Sequence, residues 1–491
     1  MLSNSKNISH LTGLILLMLS CSGCQTLKAP ESPQRMWTPP EWEKSSRSMD
    51  TVWGSIRAKS REIKGSLTLY QLIGVALRNN PDTRRAWEQA RAAEADIKQA
   101  QGESYPQISG EAEFAKEKNV THRQSDKKNL RRFGGKLNAT YLILDFGGRS
   151  ADIEEATQLT LEANFLFNRS VQDLFLDTAT AYYTYYSSKS AVEAAEADVE
   201  NAKTSFEAAK IKLTSGLGVK LDVLQAKSDY ENALFALEEA RAQRQQAKAD
   251  LAEVLGISSD SDLEIKEPSS ELPDNVKQED VSELIEAALQ QRPDIAAARA
   301  RLRATEARVK SANSDLWPKL NLGGEMGKTW YQYFGVNEAE TVHNEYSGNV
   351  NVEWDIFDGF SNLARRRKAS AEARSERENL ISQELAASAD VWTKYFNYKT
   401  SVRKRKFSRA SYESSAESYD LALEGYRAGI KNILDLLEAQ RSLSDARSRL
   451  IRSERDMFVA LAELVHATGA IGIEGHEVAT GVKSRNKPQK K

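Results

Sequence analysis

The chain has 491 residues and a formal net charge of −2, with 28% charged residues and only 11 prolines. That balance gives no electrostatic footprint for a nucleic-acid partner, and it reads as long solvated helices rather than one thick globular core. Its two cysteines, Cys21 and Cys24, both lie near the start, so no disulfide framework follows.

Lys6, the apolar run Leu11 to Leu19 and then Ser20-Cys21-Ser22-Gly23-Cys24-Gln25 predict a secretory signal over residues 1–23, too short to span a membrane as a helix. The small residues before Cys24 resemble the bacterial lipoprotein cleavage box, although Cys21 stands where a leucine is usual. By that resemblance Cys21 leaves with the signal, and Cys24 carries a diacylglyceryl group as the new N-terminus. Gln25, in place of the aspartate that retains lipoproteins at the inner membrane, implies the outer membrane. Residues 24–66 hold Pro30, Pro33, Pro39 and Pro40 with Trp37 and Trp42, and read as an extended lead-in.

A unit over residues 67–255 then returns over 281–469, with an aperiodic linker at 256–280. Each copy opens with a short amphipathic helix, stopped at Asn79-Asn80-Pro81-Asp82 and at Gln291-Arg292-Pro293-Asp294, where each proline starts the next helix. Those helices share Glu94 with Glu306, Ala95 with Ala307 and Lys98 with Lys310, and they end at Tyr105-Pro106 and Trp317-Pro318, every pair 212 apart. The period then changes to two. Ile108, Gly110, Ala112 and Phe114, then Leu137, Ala139, Tyr141 and Ile143, alternate with mostly polar neighbours, and Val350, Val352, Trp354 and Ile356 do so in the second copy. Two strands per copy are expected, joined by polar segments near Asn119 to Arg131 and Asn337 to Glu345. Strands of about ten residues with one apolar face suit a half-buried sheet or an outer-membrane barrel wall. Because no other segment offers those faces a core, the barrel wall is the stronger reading.

Turns at Asp145-Phe146-Gly147-Gly148 and Phe357-Asp358-Gly359-Phe360 lead into helices without Gly or Pro from Arg149 to Thr214 and from Ser361 to Glu424. At 1.5 Å per residue each is roughly 100 Å long, beyond the scale of a compact domain. Both end in a hairpin tip, Gly216-Leu217-Gly218-Val219-Lys220-Leu221-Asp222-Val223-Leu224 and Gly429-Ile430-Lys431-Asn432-Ile433-Leu434-Asp435-Leu436-Leu437, a shift of 213. Gly216 and Gly429 supply the backbone freedom for the turns. The return helices carry heptad seams, Ala226, Tyr230, Ala233, Leu237 and onward, and Ala439, Leu443, Ala446, Leu450 and onward. A 3.5-residue repeat means supercoiled packing against neighbours. The tail, residues 470–491, is basic and reads as disordered.

The fold class expected is therefore α+β, mainly α. Four strands cannot close a membrane barrel, for which about eight is the smallest number, and an open edge in lipid is not tolerated. Three copies would supply a shared twelve-stranded barrel above long coiled-coil helices. Catalysis is not expected. Gly134-Gly135-Lys136 lacks the flanking residues of a phosphate loop, and His10, His122, His343, His466 and His476 are too scattered for a metal site or triad. The rival reading is a lipid-anchored periplasmic coiled-coil scaffold or adaptor, which would not need the two strand pairs.

The doubled order of short helix, proline-started helix, strand pair, Asp-Phe-Gly-Gly-Arg or Phe-Asp-Gly turn, long helix, glycine tip with Leu-Asp-Val-Leu or Leu-Asp-Leu-Leu, and Ala-rich return resembles the TolC-like outer-membrane efflux proteins over roughly residues 68–470. The lipobox resembles their lipoprotein branch. The resemblance implies a homotrimeric exit duct without cofactors, held in outer-membrane lipid and joined to an inner-membrane transporter through a periplasmic adaptor. It also implies an acidic constriction at the second tip, which falls on Asp435 and Glu438, and a latch from Lys431 to Asp222 with Tyr426 as a nearby hydroxyl donor. Lysine at 431, where many relatives have arginine, makes a bidentate clamp impossible. Cargo is not legible in the sequence.

Overall fold

A computed structural model describes residues 32–34, 66–119, 128–257, 259, 264–268, 281–334 and 339–470. The signal, Cys24, most of the lead-in and nearly all of the basic tail lie outside them. The described residues fall into a strand unit, 91–161 with 310–362, and a helical unit made of the remainder.

Among the described residues, twelve elements appear in chain order as two sets of six. The first set is α1 (Leu69–Asn79), α2 (Pro81–Gly102), β1 (Gln107–Asn119), β2 (Lys128–Leu144), α3 (Gly148–Thr214) and α4 (Lys220–Leu255). The second is α5 (Val281–Gln291), α6 (Pro293–Ser314), β3 (Lys319–Phe334), β4 (Ala339–Glu353), α7 (Ser361–Arg427) and α8 (Ile433–Ala467). The prolines occupy the first position of α2 and α6, where a missing N–H costs nothing. Among the described residues no helix is long and apolar enough to cross a membrane.

In the strand unit β1, β2, β3 and β4 pair antiparallel in that order, leaving β1 and β4 as edges. Directly opposed residues share a face, and the register collects the apolar ones on one side. Phe114, Phe133, Trp330 and Val342 form one row across all four strands, and Leu137, Met326 and Tyr346 form another. Tyr141, Leu322 and Val350 lie further along the same face. Apart from the half-buried Tyr141, these large side chains are exposed, from Trp330 at 41% to Tyr346 at 74%. Lys328 is the one cation within this band, and its Nζ lies 5.1 Å from the Trp330 ring, a snorkelling geometry. The opposite face is polar, with Lys136 3.8 Å from Glu325.

The strands run 13 to 17 residues, longer than their alternation suggests. Of the segments expected as loops, Asn119 to Arg131 and Asn337 to Glu345, the described residues Asn119, Lys128 to Arg131 and Ala339 to Glu345 join the ladder. Arg131 pairs with Lys116, and Ala339 to Glu345 pair with β3. Polar residues hold these extensions by cross-strand contact: Arg132 reaches both Glu113 and Glu117, and Gln332 donates to Glu340 at 3.0 Å. The turns into the long helices are built alike. Asp145 accepts from the Arg149 N–H at 2.7 Å and Asp358 from the Asn362 N–H at 2.6 Å, each beside a residue pair with positive φ.

In the helical unit the two predicted seams are buried or half-buried along their whole length, while most positions between them are exposed on α4 and half-buried on α8. The return helices end on the proline junctions. Gly256 (φ +64°) and Gly469 (φ +71°) bring the chain so close that an added Cβ would lie 2.8 Å from Asn79 and 3.0 Å from Gln291. The Asn80 amide donates to Val254 O at 3.1 Å, and Arg292 donates to Ala467 O at 3.2 Å. Val254 and Ala467 are 213 apart, so two different side chains use the same acceptor in the two repeats. Gln172 of α3 also donates to Gly469 O at 3.1 Å, and Asp173 meets the His466 ring at 2.7 Å, which clasps the end of α8 to α3.

Candidate functional site

The two hairpin tips occupy one end of the helical unit's paired helices. Gly216 and Gly429 adopt φ of +75° and +81°, where any Cβ would be strained. The Leu217 N–H donates to Lys212 O and the Ile430 N–H to Gly425 O, both at 2.9 Å, which closes the last turns of α3 and α7. Behind the turns, Tyr426 is 2% exposed and packs with Ala209, Ala422, Ile433 and Leu436.

The predicted latch residues are only partly brought together. Asp222 lies near Tyr426. Burial first, and then that carboxylate, pushes the Tyr426 hydroxyl above its ordinary range. Lys431, however, forms no ion pair with Asp222 among the described residues. Its stem folds over Gly425, where a Cβ would meet Lys431 Cγ at 2.9 Å, and this turns the side chain back along its own hairpin. The cation over Tyr426 is instead Lys212, its Nζ 4.0 Å from the ring centre. The hairpins are tied by a different pair, Arg441 of α8 and Asp229 of α4 at 3.1 Å. Asp229 lies one heptad after Asp222, so the signal was available in the seam register.

The Tyr426 hydroxyl has no hydrogen-bond partner. An unsatisfied buried hydroxyl costs about 1–3 kcal/mol. Tyr426→Phe should therefore raise unfolding stability by about 1 kcal/mol, read as the shift of the denaturant midpoint.

Asp435 and Glu438 are both exposed, one turn apart on α8. Asp435 also starts the helix. Its N–H donates to Asn432 Oδ1 at 2.9 Å while its own carboxylate accepts the Asn432 N–H at 3.3 Å, a reciprocal capping box. Val219, the matching residue of the first tip, makes no side-chain cap. Asp435 and Glu438 line an open groove of about 940 Å³ together with Lys431, Glu417, Asp229 and Arg441. Such a surface can attract ions.

A family model described as outer membrane efflux protein matches residues 72–257 and again 284–470. The chain belongs to the outer membrane efflux protein family. The two matched stretches coincide with the two sets of elements. Among its relatives, the pyoverdine export outer membrane protein OpmQ of Pseudomonas putida is 28% identical over 481 residues, covering 93% of this chain and 96% of that protein. Protein CyaE of Bordetella pertussis is 27% identical over 413 residues, covering 83% and 85%. The solved outer-membrane channel OprN superposes with a TM-score of 0.72 at 22% identity, over 92% of this chain and 98% of that one. The efflux-family resemblance and the mainly helical α+β fold expected from the sequence both hold, and this outer membrane efflux protein resides in the outer membrane.

Proposed function

We propose that this efflux protein is a passive exit duct that works as a homotrimer and receives cargo from an inner-membrane transporter through a periplasmic adaptor. The observation that carries the reading is the open sheet: four strands, two unpaired edges, and an apolar face exposed across all of them. Three copies supply twelve strands, enough to close a barrel with no edge left in lipid. The helical unit then lies in the periplasm and its tips meet the adaptor. A relative named for pyoverdine export favours a small-molecule cargo. Cys24 serves as the lipid anchor in this reading.

At the tips, three copies of Asp435 and Glu438 place six carboxylates around the pore mouth, attracting cations and repelling anions. The test is conductance of the detergent-purified oligomer in a planar bilayer, wild type against Asp435→Asn with Glu438→Gln. Asparagine at 435 retains an acceptor for the cap, so a change in the pore is not a fraying of α8. The expected result is a cation-selective wild-type pore whose selectivity drops several-fold in the variant. A pore indifferent to the change removes the acidic gate; folded protein that forms no pore removes the duct.

A further inference from the structure

Within one chain, α8 lies on the groove between α3 and α4. Ser444 donates to Asp198 at 2.6 Å, the Arg447 guanidinium meets the same carboxylate, and Ser205 donates to Gln440 at 2.8 Å. Ser448 lines this groove beside Ala191, Ala194 and Ala236. The repeat of 213 maps α3 and α4 onto α7 and α8, so α7 and α8 form a second groove of the same kind. There Lys404, Phe407, Ser411 and Arg449 stand where Ala191, Ala194, Asp198 and Ala236 stand in the first. This second groove is open, about 610 Å³, with Phe407 68% exposed on its wall.

The repeat also says which helix fits it. The counterpart of α8 is α4, and α4 of the same chain is already engaged with its own groove, so the occupant is α4 of another copy. Ser448 maps onto Phe235, which is 72% exposed, and Ser444 and Arg452 map onto Glu231 and Glu239. Glu239 and Arg452 both line the groove within the chain, whereas Glu231 on that face, and Lys404 and Arg449 at the second groove, have no ion-pair partner among the described residues. An acidic face bearing an unpacked phenylalanine thus matches a basic groove bearing another.

We propose that Phe235 of one copy seats in the α7–α8 groove of the next, against Phe407, with Glu231 facing the basic side chains Lys404 and Arg449. The phenyl ring gains a cation on either side, from Lys404 and Arg449. The contact is heterologous, so it closes into a ring in which every groove is filled alike, one within the chain and one between chains. The inference rests on the homotrimer reading and deepens it by naming the anchor residues.

The test is cross-linking of full-length protein in detergent with a short bismaleimide. A chain carrying both Phe235→Cys and Phe407→Cys should give a covalent three-chain species on a denaturing gel. The two single variants, differently tagged and co-expressed, should give a mixed two-chain species, and either one expressed alone should not. Charge reversal supplies an independent readout. Glu231→Lys, or Lys404→Glu with Arg449→Glu, should weaken oligomer association roughly tenfold, and the three changes together should restore most of it. Wild type that is trimeric while neither cross-link nor rescue appears overturns this interface and leaves the trimer standing. Wild type that is monomeric in detergent overturns the trimer reading itself.

Discussion

Replacing Arg292 with methionine should lower the unfolding free energy of the helical unit by about 3 kcal/mol. The Arg292 side chain is 8% exposed and holds three acceptors at once: Asp294 at 2.7 Å, Asp390 of α7 at 2.9 Å and Ala467 O at the end of α8. Methionine fills much of the same volume, takes their guanidinium donor from Asp390 and a buried carbonyl, and leaves Asp294 only the Ile295 N–H and Arg169, and uncompensated polar groups of that kind cost most. Asn80, its counterpart, carries no charge and shares its amide between Val254 O and the start of α2, so Asn80→Ala should cost only about 1 kcal/mol. The pH dependence follows from Asp294. Burial would raise its carboxyl, but the hydrogen bonds and charge of Arg292, the charge of Arg169 and the Ile295 N–H outweigh burial and hold it below the usual range. A carboxyl depressed in the folded state stabilises above its unfolded value, about 4, and that stability is lost as pH falls through the folded value. Thermal unfolding followed by circular dichroism should show wild type and Arg292→Met far apart at neutral pH and converging in acid. A constant gap would mean that Arg292 acts by packing and not by charge.

That junction marks where sequence reading stops. The tips, the proline starts, the seams and the repeat were legible because each rests on a local rule: a glycine that must take positive φ, a proline that fits only a first turn, a 3.5-residue period. The anchoring of the return helices was not. Asn80 and Arg292 differ in size and charge, and what they share is a backbone acceptor that no side-chain comparison reveals. Strand ends were misplaced for a related reason: alternation marks only the apolar part of a ladder, whereas Arg132, Glu113 and Gln332 extend it by polar contacts between distant residues. At the tips the residue types of the latch were found, but the pair that ties the hairpins is Arg441 with Asp229, because the Lys431 stem is drawn over Gly425. Asp435 proved to have structural work as well, since the second tip caps its return helix with that side chain and the first does not.

The apolar sheet face supports the second large effect. Leu322 on the central strand β3 lies between Tyr141 and Val350, one row inside the band that begins near Val352 and ends at the aromatic row of Phe133 and Trp330. Arginine near the bilayer midplane of a barrel costs about 2–4 kcal/mol, falling toward zero near the interfaces. Lys328 shows how a cation survives on this face, since it sits one row from Trp330 and extends along that ring toward the interface. From Leu322 the Trp330 row is four rows away, and on the other side the apolar Val352 lies one row away. In a ring of three the cost is incurred three times, roughly 6–12 kcal/mol for the assembly. Leu322→Arg should therefore abolish the heat-resistant oligomer in the outer membrane, measured as the fraction that stays trimeric on a gel run without boiling. Asn321→Arg is the matched control, because one step along a strand moves the charge to the polar face. If both variants assembled equally well, this face would not meet lipid and the barrel would have to be built with the opposite side outward; if only Asn321→Arg assembles, the register that aligns Tyr141, Leu322 and Val350 is the register of a membrane wall.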